Sequence, residues 1–271
     1  MDLARFWGVA ETGEAIEVAV APSLVGELDR RWPPLGLERR TEPATPVTAR
    51  VGLSNSWVIV PDVEESGESP PPVAWDLLES TLTLFAVTRL THLVAVHSAA
   101  IAHDGRVLVV PAVSGGGKST LSIAAVDAGA SLLSDEYTLI DPATGLVSGW
   151  RRPVRRLRDD GETDRLDITS ASEPLPVGLV AAVAYDPEGS GTWRSISPGE
   201  ATTELLSHCI CARTRPDDSL DAVLAVTRAA AAVAGGRPDA PEAVQALLEL
   251  MSQSGVSGPQ PISSASHNAS T

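Results

Sequence analysis

The sequence predicts an α/β fold in which a large domain follows a small N-terminal lobe. In the centre of the chain, an apolar strand at 106–110 enters a glycine-rich turn that opens a helix, and a second apolar strand at 130–133 follows. Strand, helix and strand in this order are typical of α/β domains. Near the N-terminus, the apolar runs at 15–20 and 57–60 are predicted strands, and 24–32 is a predicted short helix.

A linker at 62–72 is predicted to join the lobe, at 1–61, to the large domain, at 73–251, which begins with a long helix. Residues 62–72 are rich in Glu, Ser and Pro, a composition typical of exposed linkers. The helix is predicted over 73–96, because its apolar residues recur with helical spacing. One face of this helix would carry Leu77, Leu78, Thr81, Leu84, Phe85 and Thr88.

The later elements complete the predicted domain. A helix at 118–128 ends at Gly129, a residue type favoured just after helix ends. After it, the sequence predicts a hairpin around 142–145, a strand at 178–185, a helix capped by Ser197, and helices at 219–235 and 240–251. The stretch 252–271 has little apolar content and is a predicted disordered tail.

Composition and charge argue against several classes of protein. The 271 residues include 35 acids and 20 bases, and the net charge of -15 disfavours nonspecific binding to nucleic acid or to an anionic membrane. Charges interrupt every apolar stretch well before 18 residues, and the start MDLARFWGVAETGE lacks the pattern of a signal peptide. We therefore expect a cytoplasmic protein with neither a nucleic-acid nor a membrane partner.

The strongest motif is a phosphate-binding loop (P-loop) at 112–120, in which alanine replaces the usual first glycine. Lys118 is the only lysine among the 20 Lys and Arg residues of the chain. A compact ammonium group can reach between two phosphates, which a broad guanidinium group cannot do. Glycines let successive N–H groups face an anion, and the helix N-terminus adds positive charge. The predicted nucleotide-binding residues are Ser114, Gly115, Gly116, Gly117, Lys118, Ser119 and Thr120.

Two carboxylates, Asp135 and Glu136, follow the apolar strand after this loop. In an open α/β sheet, ligands bind beyond the carboxyl ends of the strands. One carboxylate there can hold Mg²⁺ while the other accepts the proton of an attacking hydroxyl. The predicted cofactors are ATP and Mg²⁺, with the Ser119 hydroxyl as a metal ligand. The alternative is a solvated acidic turn without a function.

Three segments, in this order, resemble the catalytic domain of the HPr kinase/phosphorylase family. They are 97–101 (His-Ser-Ala-Ala-Ile), the loop region 112–121, and 129–136, which ends in Ser-Asp-Glu. The closer similarity is to shorter HPr-kinase-like relatives. Some of those are encoded beside ribosomally made peptides, including lasso peptides, and phosphorylate a serine of the precursor. The resemblance covers about 73–250 and is loose over 1–61.

This resemblance implies a kinase fold related to phosphoenolpyruvate carboxykinase. It implies that Asp135 is the catalytic carboxylate and that His97 lies near the phosphates. Glu136 falls where a second aspartate is usual, which implies a metal ligand. The segment Glu-x-Arg-Gly-x-Gly of true HPr kinases does not follow the acidic pair in this sequence, so HPr itself is not expected as the substrate.

A cluster of arginines follows the acidic pair and holds a quarter of the cations of the chain: Arg151, Arg152, Arg155, Arg156 and Arg158. Arg155 and Arg156 are predicted to contact an acidic acceptor or a nucleotide phosphate, because guanidinium groups bind such anions with charge-assisted hydrogen bonds. The alternative is a solvated, charged strand edge.

The cysteines lie together in the run His208-Cys209-Ile210-Cys211. Two cysteines provide no disulfide framework, and with one histidine they are too few for a structural zinc site. We therefore expect a buried helix end there.

The function predicted from these residues is transfer of the γ-phosphoryl group of ATP to a serine hydroxyl of a peptide or small protein. Three alternatives stay open: a kinase for a small hydroxylated metabolite, an NTP-binding sensor or hydrolase, and a scaffold that binds nucleotide without transfer. A homo-oligomer is compatible with the sequence.

Overall fold

A computed structural model of the chain has a mixed α/β architecture with several sheets. It describes residues 3–33, 35–54, 57–59, 71–112, 116–158, 163–170, 172–188 and 191–254.

The N-terminal lobe is a five-stranded sheet in the order β3-β1-β2-β4-β5, with one short helix. Its elements are β1 (Ala4–Ala10), β2 (Ala15–Val20), a 3-10 turn (Pro22–Leu24), α1 (Val25–Arg31), β3 (Leu37–Arg40), β4 (Val47–Ser54) and β5 (Trp57–Ile59). The predicted strands at 15–20 and 57–60 and the predicted helix at 24–32 are confirmed to within a residue or two. The sequence pattern did not predict β1, β3 or β4.

The helix predicted over 73–96 is wrong in its last nine residues, 88–96. Helix α2 spans Pro71–Val87, and residues 94–96 begin the strand β6 (Val94–His103). The side chains at 94, 95 and 96 are fully buried in the central sheet. A strand that is covered on both faces reads as a continuous apolar run, which periodicity cannot distinguish from a buried helix. Of the predicted linker, residues 62–70 lie outside the described residues.

The buried face of α2 also differs from the predicted one. Leu78 and Phe85 are buried as predicted, whereas Leu77 and Leu84 are nearly half exposed. The buried face carries Ala74, Trp75, Leu78, Leu82, Phe85 and Ala86, which pack in one cluster with the N-terminal sheet and with Tyr137, Leu139 and Trp150. Helix α2 thus packs on the lobe and on the edge of the central sheet at the same time.

The central sheet has eight strands in the order β10-β9-β6-β7-β13-β15-β14, with β8 also paired to β6. The remaining elements are β7 (Arg106–Pro111), α3 (Lys118–Asp127), β8 (Ser131–Ser134), β9 (Tyr137–Ile140), β10 (Val147–Gly149), β11 (Val154–Leu157), β12 (Thr163–Leu166), β13 (Val177–Tyr185), β14 (Arg194–Ser195), α4 (Pro198–Ser207), α5 (Pro216–Ala229), β15 (Ala231–Arg237) and α6 (Ala240–Ser254). The predicted loop helix, the hairpin after it, the strand at 178–185 and the helix capped by Ser197 are confirmed.

The helix predicted over 219–235 is a further error. Helix α5 ends at Ala229, and the alanines that follow form β15, which pairs in parallel with β13. Alanine favours helices by propensity, but pairing with a central strand overrides propensity here. Helix α6 continues to Ser254, into the predicted tail, and residues 255–271 lie outside the described residues.

Strand direction brings the ends of several strands to one edge of this sheet. Strands β7, β13 and β15 are parallel neighbours, so their carboxyl ends lie together. Strand β6 runs antiparallel to β7, and Ser98 of β6 pairs with Pro111 of β7. Ser134, the last residue of β8, pairs with Ala100 of β6. The start of β6 and the ends of β7 and β8 therefore meet at this edge.

Candidate functional site

The predicted P-loop connects β7 to α3 at the edge of the central sheet where β7 and β8 end. Gly117 is the N-cap of α3 and has a φ of 80°, a left-handed conformation that favours glycine. Gly116 is also described, whereas Ser114 and Gly115, two of the predicted nucleotide-binding residues, lie outside the described residues. The described part of the loop thus has the helix-opening glycine that an anion site at a helix N-terminus requires.

Lys118 is the first residue of α3, and only 8% of it is exposed. Its Nζ donates a hydrogen bond of 2.6 Å to the carbonyl oxygen of Ala112, at the start of the loop. Burial lowers the pKa of Lys118, and the nearby charges of Asp135 and Glu136 act in the opposite direction. The ammonium therefore lies next to Ala112, at the start of the loop, and near the charges of the two predicted carboxylates.

Asp135 lies between β8 and β9, where two serines of α3 meet it. Ser119 Oγ donates a 2.6 Å hydrogen bond to Asp135 Oδ2, and Ser122 Oγ donates a 2.6 Å hydrogen bond to Oδ1. Burial raises the pKa of Asp135, an effect that outweighs the two hydrogen bonds and the charge of Lys118. A carboxylate with a raised pKa is a better proton acceptor at neutral pH.

Glu136, the second predicted carboxylate, is paired with an arginine. Arg152 forms ion pairs with Glu136 and with Glu79 of α2, the latter with a distance of 2.8 Å between Nε and Oε1. The second nitrogen of its guanidinium group, Nη2, is buried and has no hydrogen-bond partner among the described residues. Arg152 thus connects the site to helix α2.

Glu79 is a buried carboxylate between three arginines. Arg31 of α1 lies 3.0 Å from it, Arg152 lies 2.8 Å from it, and Arg165 of β12 binds both of its oxygens at 2.8 and 3.1 Å. Burial alone would raise the pKa of Glu79, but the hydrogen bond from Arg165 and the three positive charges outweigh it and lower that pKa. Sequence reasoning missed Glu79, because no local pattern distinguishes it from other helical acids.

His97 lies on β6, opposite Tyr137 of β9, with 5.9 Å between the ring centroids. Burial lowers the pKa of His97 to about 4, and the charges of Lys118 and His208 add to this effect. At neutral pH the imidazole is therefore uncharged. It can exchange hydrogen bonds with a ligand but contributes no positive charge.

One cavity of about 430 Å³ brings most of the predicted site residues together. It is lined by His97, Gly117, Lys118, Ser119, Thr120, Ile123, Asp135, Glu136, Arg152, Pro153, Arg155 and Arg156. Arg155 pairs with Asp76 of α2 at 3.2 Å, and Arg156 pairs with Asp164 of β12 at 2.6 Å. The two arginines lie on β11, which pairs with β12. Their local structure is therefore also compatible with the alternative interpretation, in which they form a charged strand edge without a ligand.

The chemistry of the cavity fits a nucleoside triphosphate with Mg²⁺. Phosphates fit a glycine N-cap beside a buried ammonium. The Ser119 hydroxyl and the carboxylates of Asp135 and Glu136 are oxygen ligands, which Mg²⁺ prefers. Because the oxygen of Ser119 can bind a cation while its hydroxyl hydrogen is donated to Asp135, the observed hydrogen bond is compatible with that role.

The cysteine run lies at the end of α4, where a helix end was expected. His208 is the C-cap of that helix, Cys209 is half-buried and Cys211 is fully buried. Burial raises the pKa of the Cys211 thiol.

Comparisons with known proteins find likenesses among solved structures but none among family models or curated proteins. The structure of an HPr(Ser) kinase/phosphatase from Coxiella burnetii is similar over 59% of this chain and 96% of that chain, with 13% identity and a TM-score of 0.32. A likeness at this TM-score does not establish a shared fold, so the residues of the site carry the functional conclusion. Among the described residues, no helix is long and apolar enough to cross a membrane.

Proposed function

We propose that this chain binds ATP at its P-loop and transfers the γ-phosphoryl group to a serine hydroxyl of a peptide or small protein. The observation that carries the proposal is the position of Asp135. This half-buried carboxylate with a raised pKa lies beside the P-loop serine and in the same cavity as Lys118. A carboxylate in that position suits proton acceptance from a hydroxyl.

Different residues of the cavity perform the separate parts of such a transfer. Bound ATP and Mg²⁺ supply the transferable group and neutralise part of its charge. Lys118 contacts the phosphates, and the N–H groups at the start of α3 orient them. Ser119 and Glu136 hold the metal ion. Asp135 takes the proton of the acceptor hydroxyl.

The acceptor side of the cavity favours an acidic or phosphorylated chain. Arg155 and Arg156 line the cavity that contains the carboxylates, and their ion pairs with Asp76 and Asp164 leave each side chain at least a third exposed. Arginine side chains bind carboxylates and phosphates bidentately. An extended peptide segment can also enter a cavity that a folded protein cannot enter.

Transfer from γ-labelled ATP tests the proposal directly. The purified chain is incubated with Mg²⁺, labelled ATP and four sets of acceptors: peptides encoded beside its gene, the same peptides with each serine replaced by alanine, HPr, and a panel of sugars and other hydroxylated metabolites. We expect label on the serine peptides and none on their alanine counterparts. The Asp135→Asn variant is the matched control for the transfer step.

Each alternative function has its own result in this experiment. Label on a metabolite alone would indicate a metabolite kinase. Nucleotide binding without transfer to any acceptor would indicate a sensor or a scaffold, and release of labelled phosphate to water would indicate a hydrolase. Absence of ATP binding would contradict the proposal as a whole.

A further inference from the structure

Arg237 is a buried cation that contacts Gly117, the N-cap of α3. It is the last residue of β15, and only 3% of it is exposed. Its Nη2 donates a 3.1 Å hydrogen bond to the carbonyl oxygen of Gly117, the N-cap of α3. Its Nη1 donates a 3.0 Å hydrogen bond to the carbonyl oxygen of Pro238.

The geometry of Gly117 reflects this contact. A Cβ atom added to Gly117 would lie 2.3 Å from Nη2 of Arg237, closer than real Cβ contacts. The φ of 80° favours glycine at 117, and the guanidinium group of Arg237 occupies the space beside it. Arg237 is therefore in direct contact with the N-cap of α3.

No carboxylate of the described residues forms an ion pair with Arg237. Among the described residues, its side chain donates to two carbonyl oxygens, and its guanidinium carbon lies 5.2 Å from the centre of the Tyr185 ring. Burial lowers the pKa of Arg237, an effect that outweighs the opposing charge of the nearby Asp239, and the side chain stays charged, as arginine does in proteins. A buried cation without a carboxylate in direct contact is costly, because arginines in protein interiors are ordinarily paired.

The location of the charge increases this cost. The N-terminus of α3 carries partial positive charge, which disfavours a nearby cation. Lys118, the next residue after Gly117, is buried as well and carries a second charge. Two buried cations at a helix N-terminus, in a chain with a net charge of -15, form a local site for a multiply charged anion.

From this arrangement we infer that Arg237 is a positioning residue for the triphosphate at the P-loop. Its hydrogen bond to Gly117 holds the N-cap of α3 in the anion-binding conformation, and its charge joins that of Lys118 in balancing the phosphates. This inference rests on the proposed nucleotide binding. It predicts that the contribution of Arg237 increases with the charge of the ligand.

Binding of adenosine, ADP and ATP to Arg237→Gln tests this dependence by calorimetry. We expect adenosine affinity within about twofold of the wild type, a smaller loss for ADP, and a loss of about tenfold or more for ATP, the scale of a charge-assisted hydrogen bond. Arg237→Lys should recover part of the ATP affinity, because it keeps the charge. The matched control is Arg215→Gln, which removes another arginine that donates to backbone carbonyls, those of Leu90, Thr91 and Leu93, far along the chain from the loop.

Thermal unfolding with and without ATP distinguishes charge balance from a merely structural role. Loss of the two hydrogen bonds can lower the unfolding temperature of free Arg237→Gln, but if Arg237 balances the phosphates, the increase in that temperature on addition of ATP should also be smaller for the variant than for the wild type. Equal losses for all three ligands, or Arg237→Lys no better than Arg237→Gln, would overturn the inference. Failure of the wild type to bind ATP would instead contradict the proposed function.

Discussion

The hydroxyl of Ser119 donates a 2.6 Å hydrogen bond to Oδ2 of Asp135. This contact joins the first turn of the P-loop helix to the break between β8 and β9, so it connects the predicted phosphate site with the predicted proton acceptor. A second serine of the same helix, Ser122, holds the other oxygen of the carboxylate. Asp135 is therefore fixed by the helix that opens at the P-loop, and the two groups keep one relative position.

The first prediction concerns the charge of Asp135. Replacement by asparagine preserves the size of the side chain but removes its ability to take a proton. We expect Asp135→Asn to bind ATP within a few-fold of the wild type and to lose phosphoryl transfer by at least about a hundredfold, the usual scale for a general base. Calorimetry measures the affinity, and single-turnover rates measure the transfer.

The stability of this variant provides a separate check. Because burial raises the pKa of Asp135, its ionised form destabilises the folded state at neutral pH, and that cost disappears as the pH falls below the usual aspartate value of 3.8. Asp135→Asn should therefore be at least as stable as the wild type at pH 7. Normal transfer by this variant would show that Asp135 is structural.

The second prediction concerns the use of lysine at 118. Lys118 is buried and donates to the carbonyl oxygen of Ala112, and the broad, planar guanidinium group of arginine does not reproduce the position of a compact ammonium. We expect Lys118→Ala and Lys118→Arg both to lose ATP turnover. The control is Arg228→Lys, an exchange at an exposed position of α5. Turnover by Lys118→Arg at the wild-type rate would contradict a catalytic role for the loop lysine.

The parts of the site that lie close in sequence were predictable. The P-loop helix and the strands on either side of it follow local patterns of apolar residues and glycine. His97, Lys118 and Asp135 fall within 40 residues, and a hairpin and one helix suffice to bring them together. The spacing of these residues therefore indicated a shared site, and the structure places them around one cavity.

The parts that depend on distant pairing were not predictable. Arg152 forms an ion pair with Glu79, which lies 73 residues earlier in the chain. Arg31, in helix α1 of the N-terminal lobe, forms an ion pair with the same carboxylate. The alanine-rich sequence of the strand at 231–237 predicts a continuation of the preceding helix, and only the pairing with β13 shows that it is a strand. Local propensity contains no information about such partners, because burial and pairing override it.

The third prediction concerns the acceptor side of the cavity. Replacement of Arg155 and Arg156 by glutamine removes two positive charges from its lining. We expect the KM for an acidic serine peptide to rise about tenfold or more, on the scale of charge-assisted hydrogen bonds, while ATP affinity changes little. Steady-state kinetics with each substrate varied in turn measures this difference.

Arg194→Gln is the matched control for this pair. Arg194 is exposed and forms an ion pair with Glu200, as the cavity arginines do with their own partners, but it does not line the cavity. It should leave both constants unchanged. An equal loss of peptide and ATP binding in the double variant would indicate that the arginines contact the nucleotide rather than the acceptor.

The fourth prediction concerns His97 and pH. The pKa of His97 is about 4 in the folded protein and 6.5 ordinarily, so the unfolded chain takes up a proton first as the pH falls. The free energy of unfolding of the wild type should therefore decrease between pH 6.5 and pH 4, by at most about 3 kcal/mol from this group, at 1.36 kcal/mol for each pKa unit. His97→Asn should lack this part of the decrease in urea titrations.

His103→Asn is the control for this titration. His103 lies at the opposite end of the same strand, so its replacement leaves His97 and its surroundings in place. This variant should keep the decrease that depends on His97. If His97→Asn and the wild type lose stability equally between pH 6.5 and pH 4, the imidazole is not held neutral in the folded protein.

The last prediction concerns Glu79, the carboxylate that joins the lobe, helix α2 and the site. Glu79→Gln would leave the three arginines around it without their shared anion. Removal of one partner from a buried ion pair typically costs about 3–5 kcal/mol, and we expect a loss of that size at pH 7 in urea unfolding. The pKa of Glu79 is lowered below its ordinary 4.5, so its stabilisation is present above that value and disappears as the pH falls through the folded pKa. The difference between wild type and variant should therefore shrink below about pH 4.5.

Glu17→Gln tests whether this loss is specific to the buried position. Glu17 also pairs with two arginines, Arg5 and Arg50, but both of those side chains are more than half exposed. Its replacement should cost no more than about 1 kcal/mol, as for other exposed pairs. Because Arg152 links Glu79 to Glu136, only Glu79→Gln should also weaken the dependence of ATP turnover on Mg²⁺. Equal stabilities of the two glutamine variants would show that the buried cluster contributes no more than a surface pair does.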